Sequence, residues 1–135
     1  MAITITVKGA DQVQRKLQNL QRGVRDLTPA FRDMQDSIIL EFLANFPAKG
    51  EVLNSPWPPR KRAYPWPILD KTGKMKGNWK AKPSARELRI ENPTDYATYH
   101  NFGTAYLPVR KLVGSNQNII KLAMTRIQIF LKKYL

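Results

Sequence analysis

The residues of this sequence best able to do chemistry fall into two groups, and the larger is basic and aromatic. Eleven Lys and Arg residues lie between Lys49 and Arg89 against only Glu51, Asp70 and Glu87, which leaves that stretch at +8. Trp57, Tyr64 and Trp66 are interleaved there with Arg60, Lys61 and Arg62. Cations beside large rings suit sequence-independent contact with a polyanion, through phosphate neutralisation and base stacking. The set expected to face DNA or an acidic partner is Arg60, Lys61, Arg62, Lys74, Lys76, Lys80 and Lys82. The same charges would also serve as a plain solvated face.

The second group surrounds the one histidine. His100 follows Glu91, Asp95 and the hydroxyls of Thr94, Thr98 and Tyr99. Hydrolytic triads need a nucleophile, a base and an orienting group in mutual contact, and no nucleophile-elbow context exposes a Ser or Thr oxygen here. His100 is therefore read as structural. A single histidine cannot build a multi-histidine zinc site, and with no cysteine there is no disulfide, thiolate ligand or cysteine nucleophile. The seven glycines are scattered and form no phosphate cradle. We expect no catalytic residue, no metal, no cofactor and no enzyme activity.

Length and charge set the frame for these groups. The 135 residues fit one domain spanning 1–135, and 23 Lys plus Arg against 10 Asp plus Glu give +13. So large an excess calls for a polyanion or an acidic neighbour. A mean hydropathy of -0.46 and short apolar runs predict a soluble chain without a membrane span. The start, MAITITVKGADQ, lacks the features of a secretory signal.

The elements that must position these residues can be read from periodicity. Ile3, Ile5 and Val7 alternate with polar residues as in a half-buried strand. Val13, Leu17, Leu20, Val24 and Leu27 then form one helical stripe, expected to lie on the sheet rather than in a coiled coil, which needs more heptads. Thr28-Pro29 suits a helix restart, with Thr28 as N-cap, although one kinked helix over residues 11–46 fits the spacing too. Phe31, Met34, Ile38, Phe42 and Phe46 make the next stripe, and it reads as core.

From Pro47 to Pro67, six prolines nearly exclude regular structure. A loop carrying Trp57, Tyr64 and Trp66 should dock on something, and we expect it to contact a neighbouring subunit. A short helical or turn element over 68–76 and a hairpin from Asn78 to Glu91 follow, with Trp79, Ala81, Leu88 and Ile90 facing inward. Thr94 would cap a short helix ended by Gly103, and Leu107–Val113 reads as a third extended piece. Ser115 would cap a C-terminal helix with Ile120, Ala123, Ile127, Phe130 and Tyr134 on its core face. Leu122 and Ile129 lie off that face and are expected to meet another subunit. The resulting fold class is α+β: a small, mainly antiparallel sheet packed against long helices, with a C-terminal helix and a long proline-rich loop.

Five short motifs occur in order along the chain: ITVKGADQVQRKLQNL, FLANF followed by SPWPPRKR, ILDKTGKM, YATYHNFG, and PVRKLVG. In this order they resemble the virion-morphogenesis, or tail-completion and head-tail joining, family of tailed bacteriophages. Met75 stands where that family usually has Leu, and the stretch from Pro56 to Pro67 is richer in proline. The resemblance implies a structural protein at the neck or tail top of a virion, made in the host cytoplasm and assembled as a homo-oligomer, often a six-fold ring. It implies other phage neck and tail proteins as partners and sequence-independent contact with DNA in the lumen. The alternative, from charge alone, is a free nucleic-acid-binding protein without sequence preference.

Overall fold

The computed structural model describes Thr4 and residues 9–135. The strand expected over Ile3–Val7 lies, Thr4 apart, outside the described residues. Helix α1 (Ala10–Val24) is followed by α2 (Thr28–Ala44), a 3-10 turn (Glu51–Leu53) and a one-turn helix α3 (Lys74–Gly77). Strands β1 (Lys80–Pro83) and β2 (Leu88–Glu91), helix α4 (Ala97–Phe102) and helix α5 (Gln117–Lys132) complete the described chain. The fold is α+β.

Residues 10–44 form two helices. The chain turns because the Asp26 carboxylate accepts hydrogen bonds from the Thr28 hydroxyl (2.5 Å) and backbone N–H (3.0 Å), and these bonds hold its carboxyl below the usual range. Pro29 then occupies the first turn of α2, where a missing N–H removes no helical bond. Thr28 is thus the first helical residue, and the N-cap position falls on Leu27, whose side chain makes no capping bond.

Helix α2 buries Ala30, Phe31, Met34, Ile38 and Phe42, the last four spaced by three or four residues, and α5 and the hairpin cover this face. The hairpin pairs Lys80 with Glu91 and Ala81 with Ile90 in antiparallel register. Its turn is tied by Ser84 N–H donating to Glu87 O (2.8 Å). Trp79 lays its ring 5.1 Å from that of Phe42 and joins this core to a second one.

The second core consists of Phe46, Trp57, Ile68, Met75, Ala97 and Leu112 and gathers most of the loops. The extended piece expected over 107–113 is no sheet strand. Residues 110–113 form a strap, and side-chain amides take the place of a ladder. Asn45, fully buried, donates from Nδ2 to Lys111 O (3.0 Å), and the Trp57 indole donates to the same oxygen (3.0 Å). Asn101 Oδ1 accepts from the backbone of Leu112 (2.9 Å) and Val113 (3.3 Å). Buried peptide groups require partners, and asparagine supplies a donor and an acceptor without a neighbouring strand.

Two further corrections concern helix ends and faces. Asn116, rather than Ser115, caps α5, accepting from Ile119 N–H at 2.7 Å. The covered face of α5 runs through Ile119, Leu122, Ala123, Ile127 and Phe130, while Ile120 is exposed. Thr94 is buried and does not cap α4; its Oγ1 accepts from Asn78 Nδ2 (3.0 Å).

Helix α1 departs most from expectation. Its stripe does not lie on the sheet: Val13 is 57% and Leu17 61% exposed, and Val24 is exposed as well. The helix meets the body at its C-terminal end, where Gly23 lies so close to the Tyr134 ring that an added Cβ would stand 2.7 Å from it.

Candidate functional site

The described residues that combine charge, rings and a concave shape lie around a cleft of about 360 Å³. Three separate segments build it: the second half of the proline-rich loop, the 68–75 turn leading into α3, and α4 with the start of the strap.

From the loop come Arg60, Tyr64 and Trp66. Tyr64 and Trp66 stack with centroids 4.9 Å apart and planes 19° from parallel. Each ring also carries a cation: the Arg60 guanidinium lies 5.8 Å from the Tyr64 centroid, and Lys71 Nζ lies 4.6 Å from that of Trp66. Such contacts contribute about 0.5–1 kcal/mol each at exposed positions. Arg60 Nη1 further donates to Trp66 O at 2.7 Å, which closes the 60–66 excursion on itself.

The 68–75 turn contributes Ile68 and Met75 as apolar floor, Lys71 and Lys74 as cations, and Asp70. Asp70 is paired with Lys76 at 3.3 Å. From the far side come Tyr96, His100 and Arg110. Arg110 is buried, 8% exposed, and donates from Nε (3.2 Å) and Nη2 (2.8 Å) to the single oxygen of Pro58. Burial lowers its pKa first, and the positive charge of Arg60 adds to that. His100 O accepts from Arg110 N–H (2.8 Å), and the imidazole Nδ1 is buried without a hydrogen-bond partner among the described residues. Burial, then the Arg110 charge, holds His100 below its ordinary pKa and favours the neutral ring.

Four of the short sequence motifs meet here. SPWPPRKR supplies Arg60 and the Pro58 carbonyl that Arg110 bonds, ILDKTGKM supplies the 68–75 turn, YATYHNFG supplies Tyr96 and His100, and PVRKLVG supplies Arg110. Gly103 takes φ 75° to leave α4, and a Cβ there would stand 2.9 Å from Val109 Cγ2.

The seven expected basic residues do not share one cleft. Arg60 and Lys74 line it, while Lys61 and Arg62 stand with Arg60 beside a wider groove of about 690 Å³ that the 104–108 turn borders. Lys80 and Lys82 lie on the exposed side of β1, and Lys82 pairs with Glu91 at 3.3 Å. Lys76 is taken by Asp70. Lys71 and Arg110 belong to the cleft but were not in the expected set. Their signals were the ring-adjacent lysine after Trp66 and the PxR spacing.

Among the expected subunit contacts, Trp57 is a correction. It is 7% exposed, packs edge-on against Phe46 (5.5 Å) and donates to Lys111 O, so its own chain uses the ring completely. Leu122 is partly buried against the α2–α5 core. Tyr64 and Ile129 are exposed, and Trp66 is half-buried by its stack and Lys71. Periodicity did not single out the 104–107 turn. Thr104 Oγ1 accepts from Tyr106 N–H (3.1 Å) and Leu107 N–H (3.0 Å), fixing a turn that presents Tyr106 at 94% exposure.

Comparison with models of protein families, with curated proteins and with solved structures found no match to this chain.

Proposed function

We propose that this chain is a ring-forming structural subunit of a tailed bacteriophage or phage-tail-like particle, acting at the neck or tail top to complete the tail or join it to the head. The observation that carries this reading is the uncovered apolar stripe of α1, Val13, Leu17 and Val24. An exposed apolar stripe on an otherwise polar helix is a surface for another chain. A closed ring needs two different patches on each subunit. The outer face of α5 (Met124, Ile129) and the edge with Phe102 and Tyr106 supply others, well separated along the sequence. The ordered motifs of the phage family agree with this assignment. So does the charge of +13, which suits a lumen that passes DNA and neighbours that are acidic.

The experiment is to locate the chain in purified particles by mass spectrometry and labelled electron microscopy. Presence in a defined copy number at the neck or tail top is the expected result. Absence from complete particles rejects the proposal.

A second reading, a free nucleic-acid-binding protein without sequence preference, draws on exposed Lys61, Arg62 and Lys80, which have no acidic partner within 4 Å among the described residues. Tight, salt-dependent binding of DNA by the isolated chain, together with its absence from particles, would favour it.

A further inference from the structure

Arg60 and Arg110 present an electrostatic imbalance. Both guanidinium groups line one cleft, their like charges oppose each other, and neither has a carboxylate within 4 Å among the described residues. Lys71 and Lys74 add two more cations at the same rim, also without an acidic partner there. The one acidic side chain of the cleft, Asp70, is engaged by Lys76. A buried charge ordinarily has a counter-charge, because desolvation penalises it otherwise. Arg110 is buried and has only the neutral Pro58 oxygen, which leaves Nη1 without a bond to the described residues.

We propose that this cleft is a receptor for a carboxylate side chain carried on an apolar stretch of a partner protein, the anion seating between Arg60 and Arg110. The guanidinium forks suit it, because planar N–H pairs match carboxylate oxygens. Arg60 keeps Nε and Nη2 available, since only Nη1 is engaged with Trp66 O. The apolar lining of Ile68, Leu69 and Met75 gives residues next to the carboxylate a dry surface.

Two observations favour a protein over nucleic acid. A duplex presents its phosphates on a convex cylinder, and a recessed cleft of about 360 Å³ does not meet one. A single strand would need free ring faces for its bases, yet Tyr64 and Trp66 stack on each other and are flanked by Arg60 and Lys71. The assignment goes beyond the neck reading and does not depend on it.

The test uses the full chain, titrated by calorimetry with three probes: a short blocked peptide of alternating Leu and Glu, the same peptide with Gln for Glu, and a short DNA duplex. The Leu-Glu peptide should bind and quench or shift Trp66 fluorescence, while the Leu-Gln peptide should bind at least tenfold more weakly. Arg60→Gln should weaken the Leu-Glu peptide about tenfold, as expected for loss of a charge-assisted hydrogen bond. Lys74→Glu, at an exposed position that the fold does not need, should weaken it several-fold. Lys121→Glu on α5, outside the cleft lining, should leave it unchanged. Equal binding of the Leu-Gln peptide would overturn the carboxylate assignment. Failure of the Leu-Glu peptide to bind at millimolar concentration would overturn the receptor itself. Duplex binding lost with Arg60→Gln and Lys74→Glu would give the cleft to nucleic acid instead. Sedimentation of the same samples reports ring assembly separately.

Discussion

Helix α1 runs through fifteen residues of regular structure, yet Val13, Leu17 and Val24 remain exposed and contact with the body is concentrated near Gly23. The segment from Pro47 to Pro67 has one 3-10 turn and otherwise no regular element, yet it buries Leu53 and Trp57. At Gly50, φ is 89° and an added Cβ would stand 2.2 Å from Ser55 O, so the backbone itself is packed there. The difference teaches that regularity and integration are separate properties. A helix satisfies its own backbone and can stand apart from the core, whereas an irregular segment must find partners for its peptide groups. Within the loop the contrast repeats: Trp57 serves the fold, and Tyr64 stays exposed in a stack at the cleft.

The strongest attempt to break this comparison is Trp57→Ala. Loss of the ring and of its bond to Lys111 O should cost about 3–5 kcal/mol, read by urea denaturation. A cost below about 1 kcal/mol would return the loop to the status of a linker. Next, Asn45→Ala should cost about 1–3 kcal/mol, because Leu53 N–H loses its acceptor and Lys111 O one of its donors. A neutral result would mean that the strap is held by packing alone.

A smaller effect is expected from pH. The folded state holds His100 below its ordinary value of 6.5, by burial first and Arg110 second, so the unfolded chain binds the proton more readily. The contribution of His100 is therefore complete above about pH 6.5, falls as pH drops from there through the lower folded pKa, and changes no further below it. His100→Gln should flatten that window in melts run across it. The smallest effect on folding is reserved for α1, where Val13→Gln combined with Leu17→Gln should change stability by about 0.5 kcal/mol or less. The same pair should weaken self-association in sedimentation velocity. A large loss of stability would show that α1 is integrated after all, and unaltered assembly would remove its stripe from the ring contacts.

How far the sequence was legible follows the same division. The helices and the hairpin were readable because their signals are local: apolar steps of three and four, or alternation around a Pro-Ser turn. Even so, the N-caps moved by one residue, from Thr28 to Leu27 and from Ser115 to Asn116, because neighbouring hydroxyl, carboxylate and amide groups can fix the same turn. The α5 stripe shifted from Ile120 to Ile119 for a related reason: a helix apolar on several faces does not say which one its neighbour covers. The strap was hidden because its partners, Asn45, Trp57 and Asn101, lie 10 or more positions away and carry no period. The cleft was half visible. Charge clustering pointed to Arg60 and Lys74, but only the fold brings Arg110 and His100 to them.

The strap also has a consequence for the order in which the chain folds. Asn45 reaches Lys111 across 66 positions, and Pro58 reaches Arg110 across 52. Closing the first of these loops is entropically costly, but the cost grows only with the logarithm of length. Once it is closed, the Trp57 and Arg110 bonds join ends already near one another and add little further loss. Helix α1 can form on the microsecond scale of helix–coil relaxation, while the strap must wait for distant segments to meet. The locking of residues 110–113 is thus expected as the late, cooperative event, and the amides of Arg110, Leu112 and Val113 should gain protection after those of the helices in pulse-labelled refolding.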